Sequence, residues 1–283
     1  MLGVDFFIGT AAEAVDYISK YGGLVVAPAA PSFVALQDDP DYRRAIADAD
    51  LAIADSGWAV LFWRLLRRDK ISRISGLALF KALLDTADAH LPNNLFWILP
   101  TERAKKKTLE FGRATGYPIT ADNCYVAPRY FVGQALPPAE PINTGKQECL
   151  PFNRDLSSAS QPVVEDPALI AILESRKPKH IIIGIGGGMQ DKLGSYLKRK
   201  LSYHPAIYCI GAAPGFVTGD QVVIPMWADR FFVGWIFRLI AQPRTLLPRF
   251  WTARRLPGMM LRYGENLPPL RRNNAKCGSR NAE

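Results

Sequence analysis

At 283 residues, 48% of them hydrophobic and 22% charged, the chain can bury a large core and fits one large domain, or one domain with an appendage. The formal net charge of +9 is unevenly placed: residues 229–283 hold eleven Arg or Lys against three Asp or Glu, so the first 228 residues are near neutral. Cys124, Cys149, Cys209 and Cys277 are scattered, with no CxxC pair and no histidine at ligand spacing, which argues for a reduced chain and against a zinc site.

The opening MLGVDFFIGTAAEAV has no basic stretch leading into an apolar run, so no signal peptide is expected. Residues 4–8 read as a short strand. Thr10 can cap a helix reaching about Tyr21, with Ala14, Ile18 and Tyr21 on its apolar face, and Gly22-Gly23 stop it. Residues 24–27 form the next strand and lead into PAAPS, where Ser32 can cap a second helix. Residues 41–49 read as a helix and 51–54 as a third strand ending at Asp55-Ser56-Gly57. This alternation of strand and helix argues for a parallel sheet. Asp48-Ala49-Asp50 matches the Asp-x-Asp pattern of metal-dependent sugar transferases, but it precedes its strand, so solvated carboxylates and no metal are expected there.

Asp55 follows LAIA at the carboxyl end of a strand and precedes a helix rich in large apolar residues. An aspartate in that place can serve as general base toward an acceptor hydroxyl. It can equally cap the following helix, which the order Asp-Ser-Gly supports. Arg64, Arg67, Arg68, Lys70 and Arg73 make a basic cluster that is either a solvated helix end or a phosphate-attracting surface. Residues 76–91 read as a helix and 95–99 as a strand; Thr101 caps the charged helix ERAKKKTLEFGRA, and Ile119 starts an edge segment. The proline-rich residues 128–162 read as a mobile excursion poor in regular structure. Asp166 or Pro167 then opens the helix ALIAILESR.

The stretch HIIIGIGGGMQDKLG, residues 180–194, joins a β-branched run to three glycines and a polar helical start. Ile181, Ile182, Ile183 and Ile185 suit a strand buried on both faces. Gly186, Gly187 and Gly188 let the backbone turn tightly, and the turn is either plain punctuation or a phosphate or sugar site outside the carboxyl ends of the strands. It is neither a dinucleotide fingerprint, which needs a glycine at Met189, nor a P-loop. A helix over 191–201 and a strand over 207–211 follow. His90, His180 and His204 fit surface or satisfied structural roles.

From Pro225 onward the pattern changes. Trp227, Phe231, Phe232, Trp235, Phe237, Phe250, Trp251 and Tyr263 interleave with arginines, a combination suited to an anionic bilayer interface. A core helix is the plainer alternative for the first half, and aromatic-basic segments also bind nucleic acid, though no nucleic-acid partner is expected here. No stretch reaches the ~18 uncharged apolar residues of a spanning helix, since FFVGWIFRLIA is broken by Arg238. The division expected is an α/β core over 1–224, a membrane-associating helical appendage over 225–272 and a disordered tail over 273–283.

The succession GIGGGMQD, GAAPGFVTG, P-x-W and GWIFRLIAQPR, preceded in order by LGVDF, VVAP, ADLAIADSG and RISG, resembles the WecG/TagA/CpsF glycosyltransferase family (family 26) over about residues 2–250. The resemblance implies an α/β, Rossmann-like, mostly parallel sheet flanked by helices, with a basic aromatic-rich C-terminal helical appendage. It implies inverting, metal-independent and cofactor-free transfer of an N-acetylmannosamine-type or related sugar from a UDP-sugar donor to a polyprenyl-diphosphate-linked acceptor, in cell-surface polysaccharide synthesis. The location implied is peripheral, at the cytoplasmic face of the membrane, and a homo-oligomer is compatible with it. Position by position, Asp55 matches the family's base, Gln190 its Gln, Asp191 replaces its Glu, and Trp235, Arg238 and Arg244 match its Trp-x-x-Arg…Arg block. Gly186, Gly187 and Gly188 complete the expected substrate-binding set. Ala27, Ala29, Ala78, Gly215 and Gly234 depart from the family's polar residues, which bears on specificity and leaves a non-catalytic, membrane-associated binding protein as the alternative.

Overall fold

A computed structural model of the chain describes residues 1–67, 71–128, 130, 164–221, 247 and 251–271. Its centre is one six-stranded, all-parallel sheet. The strands are β1 (Gly23–Val26), β2 (Leu51–Ala52), β3 (Leu95–Leu99), β4 (Cys124–Val126), β5 (His180–Ile183) and β6 (Ala206–Cys209), in the spatial order β2-β1-β6-β5-β3-β4. Every residue of β3, β5 and β6 is buried, as short β-branched and aromatic runs covered on both faces require.

Alternation along the strands divides the core in two. Leu24, Val26, Phe96, Ile98, Ile181, Ile183 and Ile207 point to one face, under the helices α2 (Ala30–Asp38), α3 (Pro40–Ala47), α4 (Gly57–Arg67), α7 (Pro167–Arg176), α8 (Met189–Lys200) and α10 (Leu256–Tyr263). Val25, Leu95, Trp97, Ile182 and Tyr208 point to the other, under α1 (Ala11–Tyr21), α5 (Gly76–Leu84), α6 (Glu102–Thr115) and α9 (Ala213–Thr218).

Several local expectations are corrected. The strand over residues 4–8 reduces to one parallel bridge, Phe6 to Ala52, because the chain start turns aside: Leu2 N donates to Gly264 O at 2.9 Å and Gly3 N to Glu265 O at 2.6 Å. On α1, Thr10 forms a full capping box with Glu13, but Val15 rather than Tyr21 completes the buried face. Ser32 does not cap α2; that helix starts at Ala30 after Ala29, whose side chain offers no cap. The helix expected over 76–91 ends at Leu84 and is followed by a 3₁₀ turn, Ala87–His90, and the edge strand begins at Cys124, not Ile119.

Asp48 and Asp50 are held by the fold rather than merely solvated. Asp48 Oδ2 accepts from Ser195 Oγ at 2.5 Å, while Asp50 accepts from Leu24 N and from Lys198 Nζ, both at 2.7 Å, so the pair ties α3 to α8 and the start of β1. His180 is also structural, lying inside β5 with its ring nitrogens 3.3 Å from Tyr208 Oη and Asp88 Oδ2. Burial pushes its imidazole below the usual range. Among the described residues, Cys124 and Cys209 are free and buried, and no helix is long and apolar enough to cross a membrane.

The proline-rich excursion (apart from its first residue, Pro128, and Tyr130), the tail from 273, Arg68, Lys70, Cys149, Cys277, and the appendage residues Trp235, Arg238 and Arg244 lie outside the described residues. The described end of the appendage does not stand apart. Ala253, Leu256, Met259 and Met260 of the α10 region are buried in the same cluster as Leu2, Val4, Phe33 and Trp63.

Candidate functional site

The chain leaves β6 for α9 on one face, whereas β1 and β5, on either side of it, feed helices on the other. A crevice opens outside strand ends where neighbouring connections part in this way. Four segments line that end of the sheet: the Asp55 loop after β2, the start of α5, the glycine turn after β5, and the turn after β6.

Asp55 is half-buried at the tip of β2. It is not the cap of α4, because Ser56 fills that role: its Oγ accepts from Ala59 N at 3.3 Å and its carbonyl from Val60 N at 3.0 Å. The Asp55 carboxylate reaches instead to the start of α5, where Oδ1 accepts from Gly76 N at 2.8 Å, and Arg73 Nε donates to the Asp55 carbonyl at 3.1 Å. The Arg-Ile-Ser-Gly segment is thus wrapped around Asp55, and Ser75 caps α5 through Ala78 N. An amide at a helix N-terminus is a favourable partner for a carboxylate and fixes its orientation.

Gly76 connects this loop to the next. A Cβ on it would lie 3.3 Å from the Ile210 carbonyl oxygen and 3.7 Å from Ala213 Cβ, so α5 approaches the β6–α9 turn about as closely as backbone allows. One residue on, Gly211 has φ +59°, and a Cβ there would stand 3.3 Å from Gln190 Oε1 and 3.8 Å from Gly186 Cα. Asp55, Gly76, the Ile210-Gly211 turn and the Gly186 turn therefore lie in succession across the carboxyl ends of β2, β6 and β5.

Gly186, Gly187 and Gly188 all adopt positive φ, at 78°, 61° and 72°. Three successive residues in that region are acceptable only as glycine. They bring the backbone round to Met189, where α8 begins without a side-chain cap. The first turn of α8 thus presents amides that no capping side chain engages.

Gln190 and Asp191 follow the turn in the first turn of α8, and both are buried. Gln190 is buried; its Nε2 donates to Cys209 O at 3.2 Å, and Cys209 Sγ donates back to Gln190 O at 3.2 Å. This exchange ties α8 to the end of β6 and sets the spacing between the two turns. Asp191 is 1% exposed. Its Oδ1 has no hydrogen-bond partner, and burial pushes its carboxyl up to about 8. Tyr42 on α3 is near enough for the Asp191 charge to help raise its hydroxyl well above the ordinary range, after burial itself. Both residues, read from the sequence as substrate contacts, are buried in the first turn of α8, directly after the glycine turn.

Of the residues singled out in the sequence, the structure brings together Asp55, Gly186, Gly187, Gly188 and Gln190. Arg238 and Arg244 lie outside the described residues. Gly76 and Gly211 are the positions that pattern reading undervalued. Each sits in a stretch already noted, RISG and GAAPG, but its part is a close backbone approach that nothing local in the sequence expresses.

Ala27 is buried at the tip of β1, Ala29 is exposed ahead of α2, and Gly215 lies in α9. Among the described residues no group of three or more His, Cys, Asp or Glu is arranged to hold a metal ion.

Residues 1–108 and 151–272 match the family model described as the glycosyl transferase WecG/TagA/CpsF family. No curated protein matches the chain.

Proposed function

The chain belongs to the WecG/TagA/CpsF family of glycosyltransferases, and from that premise we propose that it transfers a hexosyl unit, N-acetylmannosamine-type or related, from a UDP-sugar to a polyprenyl-diphosphate-linked acceptor, with inversion. In this reading Asp55 takes the proton of the acceptor hydroxyl as its oxygen bonds to the anomeric carbon. The bond from that carbon to the UDP oxygen breaks, and UDP leaves with the electron pair. The charge growing on the diphosphate is met by amides of the Gly186–Gly188 turn and by Arg238 and Arg244 from the C-terminal segment. The observation that carries the proposal is the position of Asp55: its carboxylate is oriented by Gly76 N at 2.8 Å, in the loop cluster that also holds the glycine turn.

The same reading places the C-terminal segment on the cytoplasmic face of an anionic membrane, where the lipid-linked acceptor resides. Trp251 is exposed with Arg254 stacked 3.7 Å over its ring, a pair suited to headgroup depth. Ala27, Ala29 and Gly215 favour a second reading, in which the crevice binds a UDP-sugar or lipid without turning it over.

UDP release separates the two. With a panel of UDP-sugars and a polyprenyl-diphosphate-linked sugar acceptor, the full chain is expected to release UDP, and Asp55→Asn to slow release about 10²-fold or more. Asparagine retains an oxygen for Gly76 N, so the variant should fold. Donor binding without release by the unaltered chain favours the second reading, and an Asp55→Asn variant as fast as the parent removes Asp55 from the chemistry.

A further inference from the structure

Away from the strand tips, α10 and the segment after it fold back on the C-terminal end of α2 and enclose a cleft of about 430 Å³. Gln37, Arg255, Arg262, Tyr263, Leu270 and Arg271 line it. No carboxylate is among its lining residues, and the three arginines enter from three different places in the chain fold: the start of α10, its last turn, and the extended segment beyond. Among the described residues the carboxylate paired with these arginines is Asp38, which accepts from Arg255 Nη1 at 3.1 Å and lies 3.7 Å from Arg271 Nε. One carboxylate against three guanidiniums leaves a surplus of about two positive charges among the described residues. The Arg255 Nη2 group is buried and has no hydrogen-bond partner, a costly condition for a guanidinium donor. A Cβ on Gly258, which also lines the cleft, would meet nothing within 4 Å, so the space above the arginines is open.

We propose that this cleft is a phosphate-binding site, distinct from the crevice at the strand tips. A tetrahedral dianion matches the charge surplus. Its oxygens suit planar guanidinium forks, which bind phosphate through paired N–H bonds. The phosphate belongs either to a lipid headgroup or to a soluble ion. Leu270 lines the cleft and is exposed, which suits the first source. α2 is nine residues long, so its far end, at the cleft, stands about 13 Å from its start beside β1. The site thus stands whether or not Asp55 carries a glycosyl transfer.

The test uses the full chain and the double variant Arg262→Gln/Arg271→Gln. Both side chains are exposed, so the fold should survive. Arg113→Gln/Lys200→Gln, also exposed, is the charge-matched control, and Arg255→Lys keeps charge but removes the fork. Thermal protection by inorganic phosphate at constant ionic strength reads the soluble source. Co-sedimentation with phosphatidic acid vesicles against phosphatidylglycerol vesicles of equal surface charge reads the lipid source. In one assay or both, the cleft variant is expected to bind at least tenfold more weakly than the parent, with Arg255→Lys intermediate and the control unchanged. Protection without vesicle preference assigns the soluble ion, and the reverse assigns the lipid. If the cleft variant and the control behave alike in both assays, or the parent responds in neither, the proposal is overturned. UDP release by the cleft variant, measured in parallel with a soluble acceptor analogue, should match the parent, which keeps this outcome separate from that of Asp55→Asn.

Discussion

Asp191 places a carboxyl group where water does not reach, one residue beyond the glutamine that joins α8 to β6. Burial raises it from an ordinary value near 3.8 to about 8, and its own backbone amide only partly opposes the rise. In the unfolded chain the same group ionises near 4. Between those two values the native state holds a proton that the unfolded state has released. The contribution of Asp191 to stability is therefore most favourable below pH 4, declines as pH rises toward 8, and is flat above. Asp191→Asn removes the titration while keeping the side chain's shape. Thermal unfolding of the variant should match the parent near pH 4.5 and exceed it near pH 8, by several degrees or on the order of 2–5 kcal/mol. Parallel curves for the two proteins would show that Asp191 is solvated after all. Asp55 differs in kind: it is half-buried, and an amide at the start of a helix holds its carboxylate.

At the scale of elements, α8 carries the glycine turn, and its fit against β1, β5 and β6 sets where the turn amides point. Gly194 is the closest point of that fit. A Cβ there would come within 2.6 Å of both Cys209 Sγ and Leu24 Cδ1. Two effects of Gly194→Ala oppose each other. Alanine favours helix by about 1 kcal/mol over glycine, while forcing a methyl into a filled core costs about 1–3 kcal/mol. Because β1 and β6 are hydrogen-bonded neighbours and cannot part easily, the second should win, with a net loss of about 1–2 kcal/mol in denaturant unfolding. A stabilised variant would show that α8 can slide outward, and that the turn is less firmly held than its packing indicates. Donor binding should weaken with stability, since the exchange between Gln190 and Cys209 lies one turn away on the same helix.

For the whole molecule, what the sequence made legible and what it did not have physical causes. The strands could be read because runs such as HIII and LFWIL are buried on both faces, and the helix starts at Thr10, Thr101 and Asp166 because caps act within three residues. Three glycines in succession exposed the turn. Asp-Ser-Gly did not say which residue caps α4, since either side chain reaches the same amides. Asp191 did not announce its burial, since the third position of a helix looks alike facing in or out. Strand order was illegible for the same reason as the return of α10 to the chain start: both are contacts between residues far apart in sequence. That return changes how membrane attachment must be tested. Leu256, Met259 and Met260 each bury apolar surface worth about 1.5–3 kcal/mol against the core, so cutting the chain before Trp251 removes a sum comparable to the whole stability of many domains. A truncated protein that fails to sediment with vesicles would report unfolding as readily as a lost anchor. Trp251→Ser is cleaner, because the indole is 67% exposed and its ring contact is to Arg254. If the segment sits at headgroup depth, this substitution should cut partition onto anionic vesicles several-fold and leave thermal unfolding within about 1 °C of the parent. High salt should weaken the parent's partition without eliminating it, because ring burial is not screened. Unchanged vesicle binding by the serine variant would remove Trp251 from the membrane face.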